Sequence, residues 1–460
     1  MNSVMRFSPS RKYIYVFSLF YLVGCAAGEL IYHASPSLFP GRPADPRAAR
    51  TAGYWISRHP DPDRVILDAE GIRQFNARQI ENNLINDLTG FPQVYSGEIL
   101  RSTLEGYWRD FSAKTYYLAD GKKAGQELFD PLHSRLNLFS IPAGDVTVRY
   151  GIIFHYANQK FLPTDEILTV KRLDVDFDEL QNNALDVGTP VVVLQTSDDG
   201  LWTYTVSESS EGWVRTASIG LCAREEWLAF FQSAPTVVMV SPKSDLFLDP
   251  ELREFYDYTL MGTRFPLGND TNETRAKISL PVRGPEGNLV LKPGYVLTTD
   301  AALQPLSYTP RTIITQAYKL LNAPYGWGGM YGEQDCSRFL QEVFATVGIK
   351  LPRNSSAQSK AGQLIAEFSG QTAPEKKLSS FDPAAAGTLL AYMPGHIILY
   401  LGSDGGRPYA IHAVWAYREP VGQEDRIRIL NRVVVSSLDL GQGSKKGSLL
   451  KRLTRLVAVQ

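Results

Sequence analysis

The chain has 460 residues, more than one ordinary domain holds, and its length suggests roughly three or four domains. Its composition is globular: 44% hydrophobic, 21% charged, 11% aromatic, with a formal net charge of −1. That balance gives no electrostatic reason to expect a nucleic-acid partner and no large basic field for anionic lipid. Three cysteines, Cys25, Cys222 and Cys336, are too few for a disulfide scaffold.

Residues 1–12 carry Arg6, Arg11 and Lys12 and no acid, and an apolar run follows from Tyr13 to Val23. The run is shorter than the roughly 20 residues of a spanning helix, so a signal peptide over residues 1–24 is expected rather than a membrane anchor. It ends Leu22-Val23-Gly24-Cys25, which resembles a bacterial lipobox. The resemblance implies cleavage before Cys25, lipidation of that cysteine, and a mature protein facing the periplasm or cell exterior. Ala26, where an Asp would suggest inner-membrane retention, leaves the outer membrane open. The rival reading is an ordinary signal peptide with a chance cysteine.

Residues 26–60, with Pro36, Pro40, Pro43, Pro46 and Pro60, read as an extended arm rather than a folded unit. Residues 61–135 read as mainly helical, with Ile72, Phe75, Gln79 and Ile80 near one face. From about residue 145 short β segments begin. Pro190 to Ser197 is a strand, Ser197-Asp198-Asp199-Gly200 a turn, and Leu201 to Val206 alternates apolar and polar residues. A second β-rich block covers residues 235–305. At Thr309-Pro310 a helix starts, with Thr as N-cap and Pro in its first turn. A glycine-rich loop, Tyr325-Gly326-Trp327-Gly328-Gly329, leads to a second helix that begins near Asp335 and closes at Gly348. After residue 387 the pattern is β again. Helices followed by an antiparallel sheet is an α+β plan.

Chemistry concentrates in this last third. Cys336 falls in the first turn of the second helix, where unpaired N–H groups favour a thiolate. Asp335 is expected to cap that helix, with Ser337 in the same turn. A thiol nucleophile needs a base, and the base an orienting partner. The chain has only six histidines, and two follow in neighbouring strands: His396 after Pro394-Gly395, and His412 in Ile411-His412-Ala413. A lone histidine in an apolar strand is more often a satisfied core residue than a catalyst. Three other readings stay open: zinc held by one Cys and two His, a disulfide between Cys222 and Cys336, and an inert core set. Cys222, in Ile219-Gly220-Leu221-Cys222, reads as a buried, unreactive thiol.

Glycines, then Asp335-Cys336-Ser337, then two histidines resemble the NlpC/P60 family of cell-wall cysteine peptidases. The strand, acidic turn, Trp202 strand and Gly212-Trp213-Val214 element resemble a bacterial SH3-like barrel. The likeness runs over nearly the whole mature chain and is similar to γ-D-glutamyl-L-diamino acid endopeptidases. It implies an α+β protein with a papain-like catalytic domain at 307–460. Two SH3-like β-barrels, at 145–228 and 229–306, and a mainly helical N-terminal region at 25–144 would precede it. It also implies Cys336 as nucleophile, His396 as base, His412 as its orienting partner and Tyr325 as an oxyanion donor. The first SH3-like domain would close one end of the cleft and select murein peptides with a free N-terminal L-Ala. Asp335, Ser337, Asn354, Ser355, Gln181 and Glu211 are the candidate substrate contacts, with Arg353 in the same segment as Asn354.

The chain also departs from the pattern. Arg338 stands where glycine is common and is expected to point outward. Asn354 replaces a frequent Asp. Gln181 and Ser210 lie near where relatives carry a carboxylate and an aromatic, with Glu179 or Glu211 as substitutes. The expected protein is a monomeric, lipid-anchored envelope peptidase that needs no cofactor and takes murein stem peptides or peptidoglycan. The rivals are a murein-binding lipoprotein with an unused triad, and a hydrolase of another murein amide bond.

Overall fold

The structure, a computed structural model, describes residues 48–460. The expected signal peptide and Cys25 lie outside the described residues. The protein is mixed α+β, as expected, with four helices of more than four residues among the described residues ahead of the first large sheet.

Residues 48–60 differ from the expected extended arm. Thr51 caps a short helix, Ala52–Ile56, whose Trp55 is 1% exposed. The Trp55 ring lies 5.2 Å from that of Tyr409, and the Tyr318 hydroxyl donates to Ala49 O at 2.9 Å. The segment is therefore part of the C-terminal core. Its prolines made the composition look like a tether, but burying one Trp is worth about 2–3 kcal/mol, enough to dock a short segment. The next helices follow the expected periodicity. Ala69–Glu81 buries Phe75 and Gln79, and Gly97–Ser112 buries Leu100, Leu104 and Phe111.

Two β modules follow. The first is a seven-stranded antiparallel sheet in the spatial order Gln181–Leu185, Ala157–Lys160, Glu211–Arg215, Trp202–Val206, Pro190–Thr196, Arg149–Ile153, Ile219–Cys222. The second splits into a four-stranded and a three-stranded sheet. Neither module forms one continuous closed barrel. Its longest strands, Arg275–Arg283 and Leu289–Leu297, pair along their length.

The C-terminal third is a six-stranded antiparallel sheet. Its order is Gln363–Glu367, Arg455–Ala458, Leu389–Met393, His396–Asp404, Arg407–Val421, Glu424–Ser437. Residues alternate between its faces. Ile397, Leu399 and Ile411 pack with Phe339, Leu340 and Val343 of the helix Cys336–Ala345. Ile398, Tyr400 and Ala410 pack on the other face against Leu449, Leu450 and Leu453. The helix Pro310–Lys319 lies beside Cys336–Ala345, capped by Thr309 with Pro310 at its start.

Candidate active site

Cys336 is the first residue of its helix and 7% exposed. Asp335 caps the helix: its Oδ1 accepts from the N–H groups of Ser337 and Arg338, at 3.0 and 2.8 Å, and from Ser337 Oγ at 2.8 Å. Its other oxygen accepts from Gly328 N at 3.2 Å and from Arg353 Nη2 at 2.6 Å. Burial pushes this carboxyl up, but Arg353 and the N–H donors overcome that and hold it below the ordinary carboxylate range. Asp335 and Ser337, candidate substrate contacts by sequence, are thus engaged in building the helix start.

The backbone N–H of Ile397, next to His396, faces the Cys336 sulfur. His396 Nε2 lies 2.8 Å from His412 Nδ1, which leaves the Nδ1 edge of His396 as its free edge. His412 is fully buried, and its Nε2 lies 2.9 Å from Ser436 Oγ. Ser436 opposes Ala410 in the neighbouring strand, diagonal to His412. The hydroxyl extends the series Cys336, His396, His412 by one member that the sequence reading missed. One tautomer set satisfies it: His396 donates from Nε2 to His412 Nδ1, and His412 donates from Nε2 to Ser436.

Burial sets the charges. It pushes the Cys336 thiol up to about 12, aided by the Asp335 charge. It holds His396 well below its ordinary value, aided by His412, Arg452 and Lys446, and takes His412 down to about 3. Burial therefore favours the neutral thiol and the neutral imidazole at rest. Burial likewise raises Tyr325 far above the ordinary phenol value, with the Cys336 and Asp335 charges adding to it. The phenol therefore stays protonated.

The glycine-rich loop is a joint with the first β module. Gly328 has φ +62, and a Cβ there would stand 2.5 Å from Gln181 Cγ. Trp327 Nε1 donates to Asp178 O at 3.0 Å, and the Tyr156 hydroxyl donates to Gly329 O. Phe177 reaches across from the β module and packs 5.3 Å from the rings of both Trp327 and Trp415. Tyr325 lies 6.2 Å from Trp415 in the same cluster.

Arg338 corrects an expectation. It points inward, 4% exposed, and donates to Ala184 O at 2.6 Å, to both Asp186 oxygens at 3.0 Å and to Glu342 Oε1 at 2.8 Å. Its side chain is long enough to reach the β module, where three acceptors repay the desolvation of the guanidinium. Arg353 makes a second link, with Nε donating to Asn183 Oδ1 at 2.7 Å.

The other candidates are spread. Gln181 Nε2 donates to Asn183 O at 2.7 Å and Gly328 O at 3.3 Å, while its Oε1 is buried without a partner. Ser210 lies in a buried network with Gln159 and Asn183. Glu211 accepts from the Tyr107 hydroxyl at 2.8 Å. Asn354 is exposed and caps the short helix Ser355–Gln358, which Ser355 starts. Cys222 is unpaired and pushed up to about 12 by burial. Cys336 is likewise free, so the two form no disulfide. Among the described residues no three His, Cys, Asp or Glu side chains converge as a metal site.

The NlpC/P60 family model matches residues 322–419, and the model of an SH3 domain of the SH3b1 type matches 170–215. The chain is similar to the bifunctional muramidase/DL-endopeptidase CwlT of Bacillus subtilis (strain 168), 36% identical over 78 residues. That stretch is 16% of this chain and spans 24% of the length of CwlT. An NlpC/P60 endopeptidase from Photobacterium damselae subsp. piscicida superposes with a TM-score of 0.72 at 20% identity, over 92% of this chain and 99% of that one. An NlpC/P60 family protein from Bacillus cereus ATCC 10987 gives a TM-score of 0.48 at 16% identity, over 67% of this chain and 98% of that one. The first superposition shows a shared fold over nearly the full described chain. Residues 322–419 thus form an NlpC/P60 domain, and an SH3 domain of the SH3b1 type at 170–215 precedes it.

Proposed function

We propose that the protein is a cell-envelope cysteine endopeptidase that hydrolyses the γ-D-glutamyl-L-diamino acid bond of murein peptides. The observation that carries the reading is the relay of two neutral imidazoles 2.8 Å apart, His412 buried and His396 half-buried, beginning one residue from the N–H that faces the Cys336 sulfur. A buried thiol and a neutral imidazole suit transfer of the proton as the sulfur attacks.

Cys336 Sγ attacks the amide carbonyl while its proton passes to His396. His412, held by Ser436, fixes the His396 tautomer and orients the imidazolium. The oxyanion is met by the Cys336 N–H and the Tyr325 hydroxyl. The Ser337 and Arg338 N–H groups are taken by Asp335, so the Cys336 N–H is the donor this turn keeps for substrate. His396 then gives its proton to the leaving amine. Water, deprotonated by His396, releases the acyl group, and the thiol is restored. No cofactor enters these steps.

The first β module bears on the acyl side through Gln181 and Phe177. The partnerless Oε1 of Gln181 is the acceptor that suits a free N-terminal amine. The basic start, short apolar run and Cys25 support a lipid-anchored protein of the envelope.

The test is mass spectrometry of L-Ala-γ-D-Glu-meso-diaminopimelate incubated with the purified protein, beside its N-acetylated copy and a Cys336→Ala protein. Release of L-Ala-D-Glu from the free peptide, lost in the variant, is the expected result. Equal cleavage of both peptides would remove the amine gate. Cleavage of neither would sink the assigned bond.

A further inference from the structure

Residues 322–326, which lead into the glycine-rich loop, are held from two sides. On one side Tyr325 bridges Gln334, two residues before Cys336, and Gly326 N donates to Gln334 O at 3.1 Å. On the other side runs the edge strand Glu424–Ser437. Asn322 N donates to Val433 O at 3.0 Å, Val433 N donates to Ala323 O at 2.9 Å, and Pro324 bridges Arg432. The next contact is made by a side chain. Asn431 Oδ1 accepts from Tyr325 N at 3.3 Å.

A β-bulge permits that contact. Val414 opposes Arg432 and Ala416 opposes Ile429, so Trp415 alone faces both Leu430 and Asn431. Such a bulge re-aims side chains, and its extra residue needs an unusual backbone. Asn431 supplies it, with φ +49 in the left-handed region that Asn tolerates better than most residues. On the near side of the bulge His412 stays opposite Val434, so the diagonal from His412 to Ser436 is undisturbed. Trp415, the residue opposite the bulge, sets its ring 6.2 Å from that of Tyr325, within the range of an aromatic pair. One bulge therefore meets Tyr325 twice, at the backbone through Asn431 and at the ring through Trp415. A left-handed position accounts for an Asn or a Gly equally well. The acceptor placed on the Tyr325 N–H is what glycine would not provide.

We propose that Asn431 is a positioning residue for Tyr325, an inference that rests on the peptidase reading above. That reading gives the Tyr325 hydroxyl a share of the oxyanion, and the share depends on where the phenol is held. Asn431 acts through Tyr325 rather than on the substrate. Its loss therefore weakens the transition state and leaves ground-state binding as it was.

The test is a double-mutant cycle of Asn431→Gly and Tyr325→Phe, assayed on L-Ala-γ-D-Glu-meso-diaminopimelate. Glycine keeps the left-handed backbone and removes the acceptor. Asn431→Gly is expected to lower kcat about threefold with KM unchanged, the scale of one weak neutral hydrogen bond, and to lower it no further in the Tyr325→Phe protein. An unchanged kcat, or the same loss in both backgrounds, overturns the proposal. Hydrogen exchange followed by mass spectrometry, on peptic fragments that cover Tyr325, reads the contact without turnover. Faster exchange there in Asn431→Gly supports it, and equal exchange overturns it whatever the cleavage result. Faster exchange in the variant, with no cleavage by wild-type protein, overturns the peptidase reading and leaves the hold of Asn431 on Tyr325 standing.

Discussion

Replacing Arg338 with alanine tests whether the first β module is built into the active site. The guanidinium is 4% exposed and donates to Asp186, Glu342 and Ala184 O. Removing one partner of a buried ion pair costs about 3–5 kcal/mol, because the charge left behind stays desolvated. Two carboxylates would be left, but not two charges. Burial raises Glu342 more than Arg338 lowers it, so this carboxyl gives up its charge readily. Asp186 is then the main orphaned charge, and the loss should fall near the lower end, about 3 kcal/mol. Adding Asp186→Asn removes that charge and should restore about 1–2 kcal/mol, whereas two unrelated changes would add their losses. Urea unfolding followed by tryptophan fluorescence measures both. A loss below about 1 kcal/mol for Arg338→Ala, the cost of an exposed arginine, would refute the buried link.

Three further outcomes are expected. Ser436→Ala removes the acceptor of His412 Nε2 and should lower kcat about fivefold with KM unchanged, the scale of one neutral hydrogen bond; a KM effect alone would place Ser436 outside the relay. Since the base must be neutral and His396 is depressed by burial and by Lys446 and Arg452, the acid limb of kcat/KM should lie below pH 6.5. Lys446→Gln should move that limb up, and a wild-type limb above pH 6.5 would contradict the electrostatics. His412 titrates near 3 when folded and near 6.5 when unfolded, so between those values only the unfolded chain binds its proton. Its stabilising share is complete above pH 6.5 and is lost as pH falls toward 3, at up to about 1.4 kcal/mol per pH unit. His412→Gln should flatten the wild-type loss of stability across that window, and an unchanged slope would mean that the histidine is not buried neutral.

The candidate nucleophile and the two paired histidines are legible because their signal is local. A capping Asp, a Cys in the first helical turn and a glycine before a strand histidine each depend on residues within a few positions. Ser436 was not legible, since it meets His412 only through the strand register that sets Ala410 opposite Ser436, 24 residues away. Arg338 was misread for a related reason. Its position on the helix is ambiguous from sequence, and the acceptor that decides it, Asp186, lies 152 residues earlier in another module. The short helix at Ala52–Ile56 was hidden by the surrounding prolines, while the surface that receives Trp55 comes from strands near Tyr409. Local chemistry reads from sequence, whereas pairing across modules reads only from the fold.

The glycine-rich loop and the two arginines give these departures a common cause. Gly328 admits the Gln181 backbone at a distance no side chain allows, and Arg338 and Arg353 join the first two turns of the nucleophile helix to Ala184, Asp186 and Asn183. Arg353 also holds the carboxylate that caps Cys336. The β module therefore helps set where the helix begins, and with it where the sulfur sits. A binding module on a tether would need no buried charge at its contact, because desolvating an arginine is costly unless the contact is permanent. The large cation in place of a common glycine is the residue type that such a fixed contact requires.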